Sequence, residues 1–304
     1  MKLRYDGKEW LPTQIDYEQL PKEASSMSDP LVSVVIPTRN SATTFESCLL
    51  SIRRQTHRNV EIVVVDGGSS DSTVSIAERY SDIVKIVDTR TITEGHFTAT
   101  YQRNLGAEIS GGEIIYYVDA DMILTPTVIS DSLAKIQKGF DAVIVPEDSY
   151  GKGFWADCKK LERRCYWNDD TVEAPRFIRK TAWVAVGGLD ERVAGGGDDW
   201  DLYQKLLERG YKVGRVKSLV MHNEGMLTIS KLARKRIMYG RDVLKYLRKR
   251  KRGALVSFSP FRFAFIRNRG LFVSDPLHAA GVAYMRTIEY ASGLIGLLVG
   301  LFEA

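Results

Sequence analysis

Four short apolar runs, each parted from the next by a stretch of helical pattern, restrict this chain more than any other feature. They are "LVSVVIP" from Leu31, "VEIVVVD" from Val60, "IVKIVD" from Ile83 and "GEIIYYVDAD" from Gly112. Between them lie "SATTFESCLLSIRRQ", "SDSTVSIAERY" and "TATYQRNLGAEIS", with apolar positions at helical spacing and Ser or Asp near their starts. Short, β-branched, continuously apolar runs read as strands buried on both faces. Alternation with helices at this spacing predicts a mainly parallel α/β sheet with helices on both faces, a Rossmann-like architecture. "TPTVISDSLAKIQKG" and "FDAVIVPE" continue the rhythm, which breaks after Tyr150 into an aromatic and charged excursion. The chain rejoins the core at "GGGDDWDLYQKLLERGYKVGRVKSLVMHNEG".

The pattern divides the chain into a polar leader over 1–30, an α/β domain over 31–228 and a basic amphipathic and apolar C-terminal helical region over 229–304. No apolar signal segment opens the leader, and three cysteines (Cys48, Cys158, Cys165) are a poor disulfide framework, so a reducing, cytoplasmic setting is expected. Charge is uneven. Lys231 to Arg252 holds eleven Lys or Arg against Asp242, a local +10 in a chain whose total is +5, so the remainder carries −5.

In open parallel sheets ligands gather beyond the carboxyl ends of the strands. Asp66, Asp88, Asp119 and Asp121 lie at those ends. The two-residue strand repeat predicts that Asp119 and Asp121 face one crevice, where their repulsion calls for a cation. Oxygen ligands suit Mg²⁺ or Mn²⁺, which also grip diphosphates. D-x-D equally describes a solvated strand-ending turn. Asp198, Asp199 and Asp201 open a helix behind three glycines. They suit either helix-dipole stabilisation or, for an acid beside an aromatic, a general base. His222, after "VKSLVM", reads as a packed imidazole or as a further metal ligand.

The ordered set "VSVVIPTRN", "VEIVVVDGGSSDST", "QRNLGAEISGGEIIYYVDAD", "GGLDE", "GGGDDWDL" and "VMHNEG" resembles family 2 glycosyltransferases of the GT-A fold, over about residues 31–225. The resemblance implies a nucleotide-sugar donor, UDP- or GDP-linked, and inversion in a single displacement. It implies a metal held by Asp119, Asp121 and His222. Asp199 would be the catalytic base, with Asp198 beside it. Pro37, Thr38, Asn40 and Asp66 would line the nucleoside pocket, with Arg103 and Ala120 near the diphosphate and sugar. Gly67 stands where many members carry a second acid, which leaves the base open, and Asp198 stands where glutamate is commoner. Trp200, Arg176 and Trp183 are the expected acceptor contacts.

A hydroxyl acceptor needs a base and a phosphate hardly does, so the base motif points to a hydroxyl on a lipid-linked glycan or polysaccharide precursor. A polyprenyl phosphate acceptor is the alternative, and a non-catalytic sugar-nucleotide binder a third. In "KLARKRIMYGRDVLKYLRKRKR", Ala233, Ile237, Gly240, Leu244 and Leu247 recur at helical spacing among the cations. Such a helix suits an anionic membrane surface, and a peripheral place on the inner face of the cell membrane is expected. "YASGLIGLLVGLF" is uncharged for 13 residues, short of the roughly 20 needed to span a bilayer. It reads as an interfacial or oligomer-forming helix. No nucleic-acid module accompanies the basic patch. The first-strand loop lacks the glycines of a nucleotidyltransferase, and no G-x-G-x-x-G marks a dinucleotide site.

Overall fold

The computed structural model describes residues 29–88, 98–170, 172–192, 197–249 and 263–302. The expected leader over 1–30 lies almost wholly outside the described residues, as do Gly195 and Gly196 and the end of the basic run.

The four apolar runs form β1 (Val32–Thr38), β2 (Val60–Asp66), β3 (Ile83–Ile86) and β4 (Ile114–Tyr117). They lie parallel in the order β3-β2-β1-β4, with Val32 opposite both Val60 and Ile114. Alternate side chains enter different cores, as the strand repeat requires. Val34, Ile36, Ile62 and Val64 join one cluster, and Val35, Val63, Ile115 and Tyr117 the other. The first face is covered by α1 (Ala42–Arg53), α2 (Thr73–Tyr80) and α4 (Val128–Gln137) through Phe45, Leu49, Ala77 and Leu133. The second is covered by α3 (Thr98–Ile109), α6 (Lys180–Val186) and α7 (Gly197–Glu208) through Ala107, Trp183 and Leu202. Gly106 brings α3 directly onto β1, because a Cβ there would collide with Val35.

Three further strands extend the sheet: β6 (Ala142–Ile144), β8 (Phe177–Arg179) and β9 (Val213–Arg215), giving the order β3-β2-β1-β4-β8-β6-β9. β8 is antiparallel to both β4 and β6. A second sheet, of order β5-β10-β7, unites β5 (Met122–Leu124), β7 (Glu147–Lys152) and β10 (Val220–Met226). The fourth apolar run therefore holds one strand, β4, and ends in a turn over 118–121 in which Met122 N–H donates to Asp119 O at 3.0 Å, after which the chain enters the second sheet as β5. This corrects the expectation that Asp119 and Asp121 project side by side from one extended strand: they flank a sheet-to-sheet joint.

The excursion after Tyr150 includes α5 (Phe154–Cys165), and β10 leads into the basic helix α8 (Ile229–Lys249). Short helices α9 (Phe263–Arg267) and α10 (Arg269–Ser274) precede α11 (Pro276–Phe302). The 13-residue apolar run is thus the end of a 27-residue helix, which by length and apolarity alone could cross a membrane. α11 packs on α8 and α5. Gly240, Gly296 and Gly300 let the two long helices touch backbone to backbone, and Cys158, Leu161, Leu232, Val282 and Met285 fill the space below.

Candidate active site

The carboxyl ends of β1 and β2 are latched together. Asp66 is buried, accepting from Thr38 Oγ1 (2.9 Å), Ser69 N–H (2.7 Å) and Ser69 Oγ (2.6 Å). Asn40 takes a left-handed φ of 50° and accepts from Ser70 N–H at 2.8 Å. From α3, Gln102 Nε2 donates to Thr38 O (2.9 Å) and Val65 O (2.7 Å). Asp66 therefore shapes this end of the crevice through Thr38 and Ser69, with its own oxygens committed, while half-buried Pro37 and exposed Asn40 lie at the surface.

The next group is an ion cluster at the joint. Arg103 of α3 reaches Asp119 Oδ1 through Nη2 at 2.5 Å and Asp198 Oδ2 through Nη1 at 3.3 Å. Arg176, just before β8, reaches Asp119 Oδ2 (3.2 Å), Glu147 Oε1 (3.1 Å) and Asp199 Oδ2 (3.4 Å). Burial pushes the Asp119 carboxyl up, but Arg103 and then Arg176 outweigh it and hold the group far below the usual carboxylate range. Asp198 behaves oppositely. Burial and then the charge of Asp199 raise it to about 6 against the pull of Arg103 and the Thr100 hydroxyl, which donates to it at 3.0 Å.

Tyr117 lies at the centre. Its hydroxyl sits 3.0 Å from Asp199 Oδ1 and 3.1 Å from Pro175 O, and both guanidiniums lie over its ring, Arg103 at 5.6 Å and Arg176 at 5.7 Å. Burial and then Asp199 raise the phenol well above its ordinary range, so it remains a donor.

The third group belongs to the second sheet. His222 is opposite Met122 in the β5–β10 ladder, which sets its Nε2 3.2 Å from Asp121 Oδ2. Its Nδ1 accepts from Arg163 Nη2 at 2.8 Å and lies 3.5 Å from Glu224 Oε1. Arg163 of α5 also pairs with Glu147 and Glu224.

Asp121 Oδ1 is buried and has no hydrogen-bond partner, and an orphaned carboxylate oxygen beside an imidazole suits a hard divalent cation. Asp119, however, is turned to the arginines, and among the described residues no three His, Cys, Asp or Glu side chains converge as a complete cage. Asp121 and His222 are the two of the expected three that meet.

Ala120 is buried in the turn, and half-buried Trp200 donates from Nε1 to Val172 O at 3.0 Å. Trp183 is corrected: it is 5% exposed and packs edge-on beneath Tyr117 at 5.8 Å, in the core. Arg176 joins the acids of the crevice instead of standing apart. Sequence reasoning missed Tyr117, Glu147, Arg163 and Glu224. The last lies two residues beyond His222 in "HNE", the one available signal.

A fold of this kind, with acids gathered beyond the strand ends, defines a GT-A-type α/β protein. Residues 33–189, just over half of the chain, match Glycosyl transferase family 2, and the chain belongs to that family. It is 34% identical over 97 residues to the uncharacterized glycosyltransferase YibD of Escherichia coli K12, covering 32% of this chain and 28% of that protein. It is 33% identical over 126 residues to the putative glycosyltransferase EpsH of Bacillus subtilis 168, covering 39% and 34%. The matched part thus spans about a third of the length of these curated relatives. Among solved structures, the mannosyltransferase PcManGT of Pyrobaculum calidifontis, in complex with GDP-Man and Mn²⁺, has the same fold. Its TM-score is 0.59 at 17% identity, covering 92% of this chain and 91% of that one.

Proposed function

We propose that this protein is an inverting glycosyltransferase that moves a sugar from a UDP- or GDP-linked donor to an acceptor hydroxyl, using Mn²⁺ or Mg²⁺. The observation that carries this reading is the oriented carboxylate Asp199, held by Tyr117 within the arginine cluster that also grips Asp119. Family membership and the fold shared with a GDP-Man- and Mn²⁺-bound enzyme support it.

Asp199 takes the proton of the acceptor hydroxyl as that oxygen attacks the anomeric carbon. Tyr117 and Arg176 fix the carboxylate's orientation, which is the precondition for general-base catalysis. Arg103 and Arg176, clustered at Asp119, supply positive charge where the departing diphosphate gathers negative charge. Asp121 and His222, with Asp119 once it leaves the arginines, would hold the cation. That ion, when bound, supplies charge neutralisation on the leaving diphosphate.

The acceptor class follows from the local field. Six carboxyl groups (Asp119, Asp121, Glu147, Asp198, Asp199, Glu224) face three guanidiniums (Arg103, Arg163, Arg176). Such an excess of negative charge disfavours a second phosphate beside the donor's and favours a neutral hydroxyl over a polyprenyl phosphate. The acceptor is then a hydroxyl on a lipid-linked glycan or polysaccharide precursor, met at the cytoplasmic face of the cell membrane. The test is a thermal-shift screen of UDP, GDP and their sugars with and without Mn²⁺, followed by turnover with the stabilising donor. Stabilisation grows as RT ln(1 + [L]/Kd), so the true donor stands out. Equal, metal-independent shifts for all of them would overturn the reading.

A further inference from the structure

Two residues apart in β10, His222 and Glu224 share one face of the strand. Only 11% of the Glu224 side chain is exposed. Its Oε1 accepts from Ser149 Oγ at 2.7 Å and from Arg163 Nη2 at 3.0 Å, and it lies 3.5 Å from His222 Nδ1. One imidazole nitrogen thus faces a donor and an acceptor together.

A guanidinium has no acceptor to offer. At 2.8 Å from Arg163 Nη2, His222 Nδ1 must therefore present its lone pair. The proton of the neutral ring is then on Nε2, which donates to Asp121 Oδ2 at 3.2 Å. An imidazole holds a cation through a nitrogen lone pair, and the bond made by one nitrogen sets what the other can do. The tautomer favoured by Arg163 closes Nε2 to an ion beside Asp121, whose buried Oδ1 is without a hydrogen-bond partner.

Opening Nε2 requires a proton on Nδ1 and an acceptor there in place of Arg163. Glu224 Oε1 already stands within reach. Arg163 can release Nδ1 and still keep a carboxylate, because it also pairs with Glu147. Neutralising Arg163 alone would accordingly not require Glu224. The helix that carries Arg163 is fastened to the long helices. Buried Glu162 of α5 is 2.7 Å from Lys159 and 3.3 Å from Arg286 of α11. Glu289 of α11 accepts from Arg236 of α8 at 2.8 Å and lies 3.4 Å from Lys159. The rearrangement therefore falls to the Arg163 and His222 side chains.

We propose that Glu224 is a positioning residue of the cation site. It accepts the Nδ1–H of His222 and holds the ring in the tautomer whose Nε2 lone pair faces Asp121, whereas Arg163 holds the opposite tautomer. In the exchange Nε2 gives a proton to water and Nδ1 takes one from water, so net charge is unchanged. A carboxylate on the far nitrogen also makes the imidazole a better ligand. The inference rests on the proposed use of a divalent cation at Asp121 and His222.

The test reads the tautomer directly, in long-range proton–nitrogen correlation spectra of the full chain carrying isotope-labelled histidine. His222 signals are assigned by their loss in His222→Gln. The probe is Mg²⁺ with UDP or GDP, and Mn²⁺ affinity is measured alongside by titration calorimetry. Nε2–H is expected without added cation, and Nδ1–H at saturating Mg²⁺ and nucleotide. Glu224→Gln, whose amide can donate to Nδ1, should keep Nε2–H and bind Mn²⁺ about 10–100-fold more weakly. The wild-type spectra decide the matter even where Glu224→Gln fails to fold. Two results would overturn the proposal and leave the glycosyltransferase reading intact: Mg²⁺ and nucleotide bound with Nε2–H unchanged, or Glu224→Gln binding Mn²⁺ as tightly as wild type. Absence of Mn²⁺ binding with either nucleotide would instead remove the metal-dependent reading itself, and this inference with it.

Discussion

Alanine placed at two glycines of α11, only three residues apart, should move stability in opposite directions. A Cβ on Gly293 meets no atom within 4 Å, so Gly293→Ala gains helix propensity of about 0.8–1 kcal/mol. A Cβ on Gly296 would strike the Ile237 carbonyl and lie 3.0 Å from Gly240 Cα. Backbone on both sides cannot give way as a side chain can. Overpacking of this sort costs about 1–3 kcal/mol and exceeds the same propensity gain. Unfolding entropy of about 2.1 cal/mol/K per residue, over a chain of 304 residues, makes 1 kcal/mol equivalent to roughly 1.5 °C. Gly293→Ala should therefore raise Tm by roughly 1.5 °C, and Gly296→Ala should lower it by up to roughly 3 °C. Differential scanning calorimetry resolves both. If both substitutions raise Tm, α11 does not touch α8 backbone to backbone.

Tyr117→Phe removes a hydrogen bond to an ionised acceptor worth about 1.5–3 kcal/mol, so kcat should fall about tenfold to a hundredfold with donor affinity unchanged. In an Asp199→Asn background the same change should cost nothing further; multiplicative losses would mean that Tyr117 does not act through Asp199. Asp121→Asn should abolish the Mn²⁺-dependent part of nucleotide-induced thermal stabilisation, and a shift as large as wild type would remove Asp121 from the metal site. Burial raises Asp198 from 3.8 to about 6, so the folded state holds that proton more tightly than the unfolded chain. The resulting stabilisation is full below about pH 4 and is lost as pH climbs through about 6. Asp198→Asn should match wild-type Tm at about pH 4 and exceed it at about pH 8, and a constant difference across that range would refute the shift.

Much of the sheet was legible because burial on both faces leaves a local mark. "VEIVVVD" is β2 to the residue, and the runs for β1 and β3 miss their ends by only one or two. The fourth run misled at its end, because apolar pattern does not show where a strand stops: β4 ends at Tyr117, four residues before the run does, and Val118 to Leu124 stays mostly apolar while the chain changes sheets. Trp183 misled for a related reason. Its neighbourhood "KTAWVAV" forms a helix whose buried face points into the core, and an aromatic near a crevice is indistinguishable in sequence from one behind it.

The sequence alone determined the order of the strands along the chain, the covering of both sheet faces, the acids at the strand ends and the concentration of positive charge in α8. Those depend on period, propensity and composition, which act between near neighbours. Only the tertiary structure decided which acids meet which partners. Tyr117 and Asp199 are 82 residues apart, and Asp121 and His222 are 101. Such pairs are set by where whole elements pack, and no local rule carries that information. The same holds for α11: its composition announces an apolar helix, but its fastening through Glu289 to α5 and α8 comes from packing that no single segment encodes.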